Sequence, residues 1–101
     1  MSQKYYIDMD KISENSSLIM KEKVTTTSVD KEIVLLDVEK GEYYGINEVG
    51  AQIIKLSEEN VSLKKIVEVL CKEYEKQESR VERDVLVFAK EMESRGLAKI
   101  S

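Results

Sequence analysis

A chain of 101 residues is long enough for one compact domain and no more. It carries 20 acidic against 16 basic residues, a net charge of −4 and a sequence pI near 5.0, so the overall basic footprint of a nucleic-acid binder is absent. It has no histidine and one cysteine, which removes the commonest general base, any internal disulfide, and zinc held by nitrogen and sulfur ligands.

Residues 1–17 are mixed and polar, and lack the long apolar core of a signal peptide. No apolar run approaches bilayer length, so the expectation is a cytoplasmic protein. Tyr5-Tyr6-Ile7 suits a small strand or a surface dock, and Ser13-Glu14-Asn15-Ser16-Ser17 reads as a loop. Leu18 to Val24 alternates loosely and predicts a first strand. Thr25 to Lys31 predicts a connecting loop, whose threonines can prolong that strand. Glu32 to Val38 predicts a second strand, since its apolar run is β-branched and aliphatic. Glu39-Lys40-Gly41 is a short turn in which Gly41 can take a positive φ, as a type I turn plus bulge requires. Glu42 to Ile46 is the return strand. Connections this short favour an antiparallel meander, and the last strand leaves an edge open to another chain.

After Asn47, a good N-cap, the apolar period changes from two to about three and a half. Val49, Ile53 and Leu56 lie on one face of a first helix, widened by Ile54, and Glu58-Glu59-Asn60 breaks the pattern. Ser62 caps a second helix with Leu63, Ile66, Val67, Leu70 and Tyr74 on its apolar face and Cys71 beside it. Ser79 caps a third helix, with Glu82 completing a capping box. Its stripe is Val81, Val85, Phe88 and Met92. Gly96 ends it as a C′ residue, after which Leu97 and Ile100 fold back onto the core. None of these helices is stable alone, so sheet and helices must cover each other. The fold class expected is α+β, a three-stranded antiparallel sheet followed by three helices, over residues 18–101, with residues 1–17 as a partly ordered N-terminal segment.

Chemistry-bearing candidates are few. Cys71 has no base to activate it and reads as a buried structural thiol. Asp37, Glu39 and Glu42 gather at the hairpin, but without calcium-loop spacing they read as solvating the turn, and no metal or cofactor is called for. Tyr43 and Tyr44 must point to opposite faces. Tyr44 shares its face with Ile46 and is assigned inward, where core use and pocket use are compatible. The third helix carries more apolar residues than one stripe needs: Leu86 and Val87 fall off it. They pack under neighbouring segments, or the helix faces both the core and an external partner; Arg80, Arg83 and Asp84 sit near the same surface.

The run VLLDVEKGEYYGIN, then Val49-Gly50 and Ile53, then SLKKIVEVLCKEY and VERDVLVFAKEMESRGL, resembles the PqqD-like domains, the peptide-recognition elements of ribosomal peptide modification pathways. The matching positions are Tyr44, Asn47, Gly50, Val81, Asp84, Val85, Phe88, Gly96 and Leu97, and the resemblance covers residues 18–100. Ile54 departs from it, standing where many members have an aromatic. The resemblance implies a winged-helix-like domain that binds the leader of a precursor peptide as a further antiparallel strand beside the third strand and against the third helix. It implies contacts from Tyr43, Tyr44, Gly45, Ile46, Val81, Asp84, Val85 and Phe88, and no catalysis. It is most similar to the stand-alone leader-binding proteins of lasso peptide pathways, whose partners are the precursor leader and a leader peptidase or modifying enzyme. Stand-alone partners of radical-SAM enzymes are the nearest alternative. A DNA-binding winged helix is disfavoured because Glu68, Glu73, Glu82, Asp84 and Glu91 are interspersed on the second and third helices. A small enzyme is disfavoured by the missing nucleophile constellation.

Overall fold

Alternation along Glu32–Asp37 decides which way the sheet faces: Ile33, Leu35 and Asp37 are buried, while Val34 and Leu36 between them are half-buried on the outer face. The computed structural model describes residues 16–101, so the expectations of a small strand at Tyr5–Ile7 and of a loop over Ser13–Asn15 lie outside it. Chain order is β1 (Leu18–Met20), β2 (Val24–Val29), β3 (Glu32–Asp37), β4 (Glu42–Ile46), α1 (Glu48–Glu58), α2 (Leu63–Tyr74), α3 (Glu78–Ser94) and β5 (Ala98–Ile100). The antiparallel sheet β2-β3-β4 places Leu35 between Thr26 and Tyr44. A second, two-stranded sheet pairs β1 with β5, Leu18 opposite Ile100. The class is α+β as expected, but the expected first strand divides. Leu18–Met20 joins the C-terminus, and the stretch read as a loop is strand β2, which forms the edge of the sheet opposite β4. The residues of β2 are β-branched enough for a strand, yet nearly all are exposed because β2 overhangs the helices. With both faces wet, no apolar alternation marks it.

The helices cover the inner face. Ile53 and Ile54 of α1, Leu63, Ile66, Val67 and Leu70 of α2, and Val81, Val85, Leu86, Ala89 and Met92 of α3 are buried with Ile33 and Leu35. Two face assignments change. Val49 is exposed at 39% and Leu56 is only partly buried, so α1 turns Gly50, Ala51, Ile53, Ile54 and Ser57 inward. Leu86, expected off the stripe of α3, is core, and Phe88 stands at its margin. Asn47 and Ser62 cap as expected, accepting from the amides of Gly50 and Lys65. Ser79 does not cap α3, which starts earlier: its N-cap is Gln77, without a side-chain bond. Gly96, at φ 74°, ends α3 as expected.

The β3–β4 turn spans Val38–Gly41, one residue longer than expected, closed by the Gly41 amide donating to the Asp37 carbonyl at 2.7 Å. Gly41 takes φ 68°. Asp37 does not solvate this turn but holds it from within. Its carboxylate is fully buried, Oδ1 accepts from the amides of Glu39 and Lys40 (3.1 Å each), and Oδ2 lies 3.0 Å from Lys23 Nζ. Burial pushes the Asp37 carboxyl up, but the Lys23 ammonium and the two amides outweigh it, leaving the group below its ordinary value of 3.8. A depressed carboxyl stabilises the fold above its unfolded value, and that contribution disappears as pH falls through the folded value. Asp37→Asn is therefore expected to lower the urea midpoint at pH 7, and the difference from the parent should shrink as pH drops below 3.8. A gap of constant size across that range would contradict the assignment.

Candidate functional site

Two backbone hydrogen bonds set the phase of the whole sheet. Gly41 N–H reaches the Asp37 carbonyl on the β4 side, and Val38 N–H reaches the Lys23 carbonyl (2.9 Å) on the β2 side. Main-chain groups alternate along an antiparallel strand, so Ile33, Leu35 and Asp37 turn theirs to β4, while Val34 and Leu36 turn theirs to β2. In register, Glu42, Tyr44 and Ile46 of β4 answer inward, and Tyr43 and Gly45 present their amides and carbonyls at the open edge. Among the described residues no strand pairs with that edge.

Beside the edge runs a cleft of about 300 Å³, walled by Tyr43–Ile46 on one side and by Phe88, Glu91, Met92 and Arg95 of α3 on the other, with Leu97 contributing. Gly50 makes its floor possible. A Cβ there would lie 2.6 Å from Ile46 Cγ2 and 2.8 Å from Phe88 Cε1, so only glycine lets both side chains close over α1. At one end Arg95 lies 5.7 Å from the centroid of the Tyr44 ring and 3.6 Å from Glu91 Oε2. The Tyr44 hydroxyl donates to Glu42 Oε1 at 2.7 Å, and that bond, with burial, raises its pKa.

A second cavity, of about 150 Å³, opens where α1, α2 and α3 meet, lined by Val49, Leu70, Tyr74, Lys76, Val81, Asp84 and Val85. Tyr74 OH donates to Gln52 Oε1 (2.7 Å), whose amide donates to Glu73 (2.9 Å), tying α1 to α2 beside the cavity. Burial raises the pKa of Tyr74, as it does that of Cys71, which makes Cys71 a poor nucleophile. Among the described residues no cluster of acids or cysteine could hold a metal ion, and no helix is long and apolar enough to cross a membrane.

The eight residues that the sequence points to thus fall in two groups. Tyr43, Tyr44, Gly45, Ile46 and Phe88 share the cleft; Val81, Asp84 and Val85 share the second cavity, where Val81 and Val85 are floor rather than surface. Phe88 sits between the groups along α3. Glu91, Met92 and Arg95 were not among the eight, although they follow Phe88 at three, four and seven residues, the spacing of one helical face. Val49 was missed because its apolar side chain reads as core.

An open edge strand facing a helix across a cleft defines the class: a small α+β, winged-helix-like domain. The chain belongs to the PqqD family; the family model described as coenzyme PQQ synthesis protein D matches residues 32–98, as the resemblance in the sequence implied. It is similar to the structure of TbiB1 in complex with the TbiA(beta) leader peptide, with 32% identity and a TM-score of 0.77, over 80% of this chain and 94% of that one. It is similar also to lasso peptide synthetase B1 complexed with the leader peptide, with 25% identity and a TM-score of 0.77, over 82% of this chain and 98% of that one. No curated protein matches.

Gly50→Ala should destabilise the protein even though alanine is the better helix former by about 1 kcal/mol. Overpacking against Ile46 and Phe88 should outweigh that gain, for a net loss of about 1–2 kcal/mol by urea denaturation. A stabilised variant would mean that the two side chains move aside freely.

Proposed function

We propose that this protein is a non-catalytic cytoplasmic adaptor that binds the leader of a ribosomally made precursor peptide and presents it to a leader peptidase or modifying enzyme. The two structural relatives favour a lasso peptide pathway. The observation that carries the reading is the open edge at Tyr43 and Gly45 alongside the Phe88 cleft. The leader adds to β4 as an antiparallel strand, main-chain bonds setting register and side-chain cavities setting choice of sequence. Because β4 and α3 run past each other in opposite senses, the earlier leader residues pass Phe88 towards Val81, Asp84 and Val85, and the later ones leave beside Tyr43 and Arg95. Residues 18–101 form the binding domain, and Ser16 and Ser17 are bonded to it through Leu63 and Ser101.

Magnitudes require the cavities. Each ladder bond contributes about 0.5–1.5 kcal/mol net, and ordering a disordered leader costs about 2–5 kcal/mol. The few bonds that Tyr43 and Gly45 offer therefore about cancel the ordering. Burying two or three apolar leader side chains adds about 1.5–3 kcal/mol each, enough for micromolar binding or better.

A fluorescent leader peptide from a precursor of the same pathway, titrated by anisotropy, should show saturable binding at or below the micromolar range. Phe88→Ala should weaken it at least tenfold. Gly45→Pro should do the same while leaving the fold intact, because an edge strand tolerates proline where its N–H faces outward. Unchanged affinity in both folded variants would exclude the β4 cleft, and no binding by the parent protein would exclude the function.

A further inference from the structure

At the Arg95 end, both walls of the cleft are tied to one short turn, none of whose residues lines it. That turn is Lys21–Val24, closed by the Val24 amide donating to the Lys21 carbonyl at 3.0 Å. On one side, the Lys21 amide donates to the carbonyl of Leu97 (3.0 Å), the buried residue that follows α3 and contributes to the cleft. On the other, the Lys23 carbonyl accepts from Val38, and Lys23 Nζ lies 3.0 Å from the buried Asp37 Oδ2, so Lys23 also holds the turn from which β4 departs. Its ammonium stands beside the end of α3 as well: a Cβ on Gly96 would lie 3.9 Å from Nζ. α3 has no basic residue in its last turn, and the helix dipole favours a cation there. Glu39 Oε1, 3.9 Å from Nζ, is exposed and adds little. The Lys23 side chain is only 18% exposed, which is unusual for a lysine.

We infer that Lys23 is a positioning residue for leader binding: bridging the Asp37 turn and the end of α3, it sets the separation of β4 from α3 where the leader leaves. The inference rests on the proposed leader binding. An antiparallel strand on β4 runs from the Ile46 end to the Glu42 end, so its later residues pass between Tyr43 and Arg95, at the end that Lys23 pins. The other end is fixed by Ile46 and Phe88 closing over Gly50. An added strand gains main-chain bonds to Tyr43 and Gly45 together with side-chain burial against α3 when edge and helix are held at one distance. A buried ion pair suits that task better than apolar contact. Apolar side chains of the same volume would often be as stable, but they accept several packings, whereas a lysine bound to a buried carboxylate accepts one.

The test reads leader binding apart from stability, on the full chain, with a fluorescent leader peptide from a precursor of the same pathway and its alanine-substituted forms. Lys23→Met leaves Asp37 buried without a counter-charge. The double variant Lys23→Met/Asp37→Asn therefore accompanies it, keeping an acceptor for the turn amides while removing the buried charge. Lys23→Arg keeps the pair, and Lys65→Met, at an exposed lysine of α2, is the control. The double variant, shown to be folded by circular dichroism, should bind the leader at least fivefold more weakly, with Lys23→Arg and Lys65→Met within twofold of the parent. The loss should be local. Alanine in the later half of the bound segment, beside Tyr43 and Arg95, should weaken binding to the double variant less than half as much as it weakens binding to the parent. Alanine in the earlier half, beside Phe88, should weaken both equally. Parent-like affinity in the folded double variant would overturn the assignment. So would a loss spread evenly along the leader, or a double variant that does not fold, since either would give Lys23 a role in the fold alone. No binding by the parent protein would instead overturn the function on which the inference rests.

Discussion

The contact on which the site depends is the closure of Ile46 and Phe88 over Gly50. These residues belong to β4, α3 and α1, and none of the three elements positions the cleft alone. A methyl group at Gly50 would occupy space that both side chains need. Its absence lets α1 start immediately after the edge strand, with Asn47 capping it, while α3 passes close enough for Phe88 to form a wall. The backbone freedom lost by placing glycine inside a helix is offset by packing that no other residue allows.

The sheet is asymmetric in a way that its coverage explains. β3 is fully backed by helices, β4 is half-backed with one edge open, and β2 overhangs with both faces wet. An open edge is a hazard in a soluble protein unless something is meant to use it. Here the open edge lies over an apolar cleft, so an added strand would gain side-chain burial as well as main-chain bonds. The buried Asp37 serves the same arrangement from the hairpin end. By bonding to the turn amides and to Lys23 it fixes the point from which β4 departs, and hence which residues of β4 face outward.

Charge has a local role. The net charge of −4 is the difference between 20 acidic and 16 basic residues. The ion pairs of exposed side chains, Lys65 with Glu68 and Arg95 with Glu91, contribute little to stability. Arg95 matters through its position over the Tyr44 ring at one end of the cleft, where it closes an apolar surface with a charged rim.

Much of this was legible in the amino-acid sequence. The helical periods, the caps at Asn47 and Ser62, the positive-φ glycines at 41 and 96 and the alternation in β3 are local rules read over a few residues, and so was the family, whose ordered motif survives as a string. What only the tertiary structure decided involves more than one element. β2 could not be told from a loop because its strand character lies in pairing, not in burial. Asp37 could not be told from a solvated turn acid until Lys23, distant in sequence from it, was brought within 3.0 Å. The division of the eight site residues into a cleft and a separate cavity depended on where Phe88 seats. Sequence spacing along α3 orders those residues, but which of them share a space is settled by the strand and helices packed against that face.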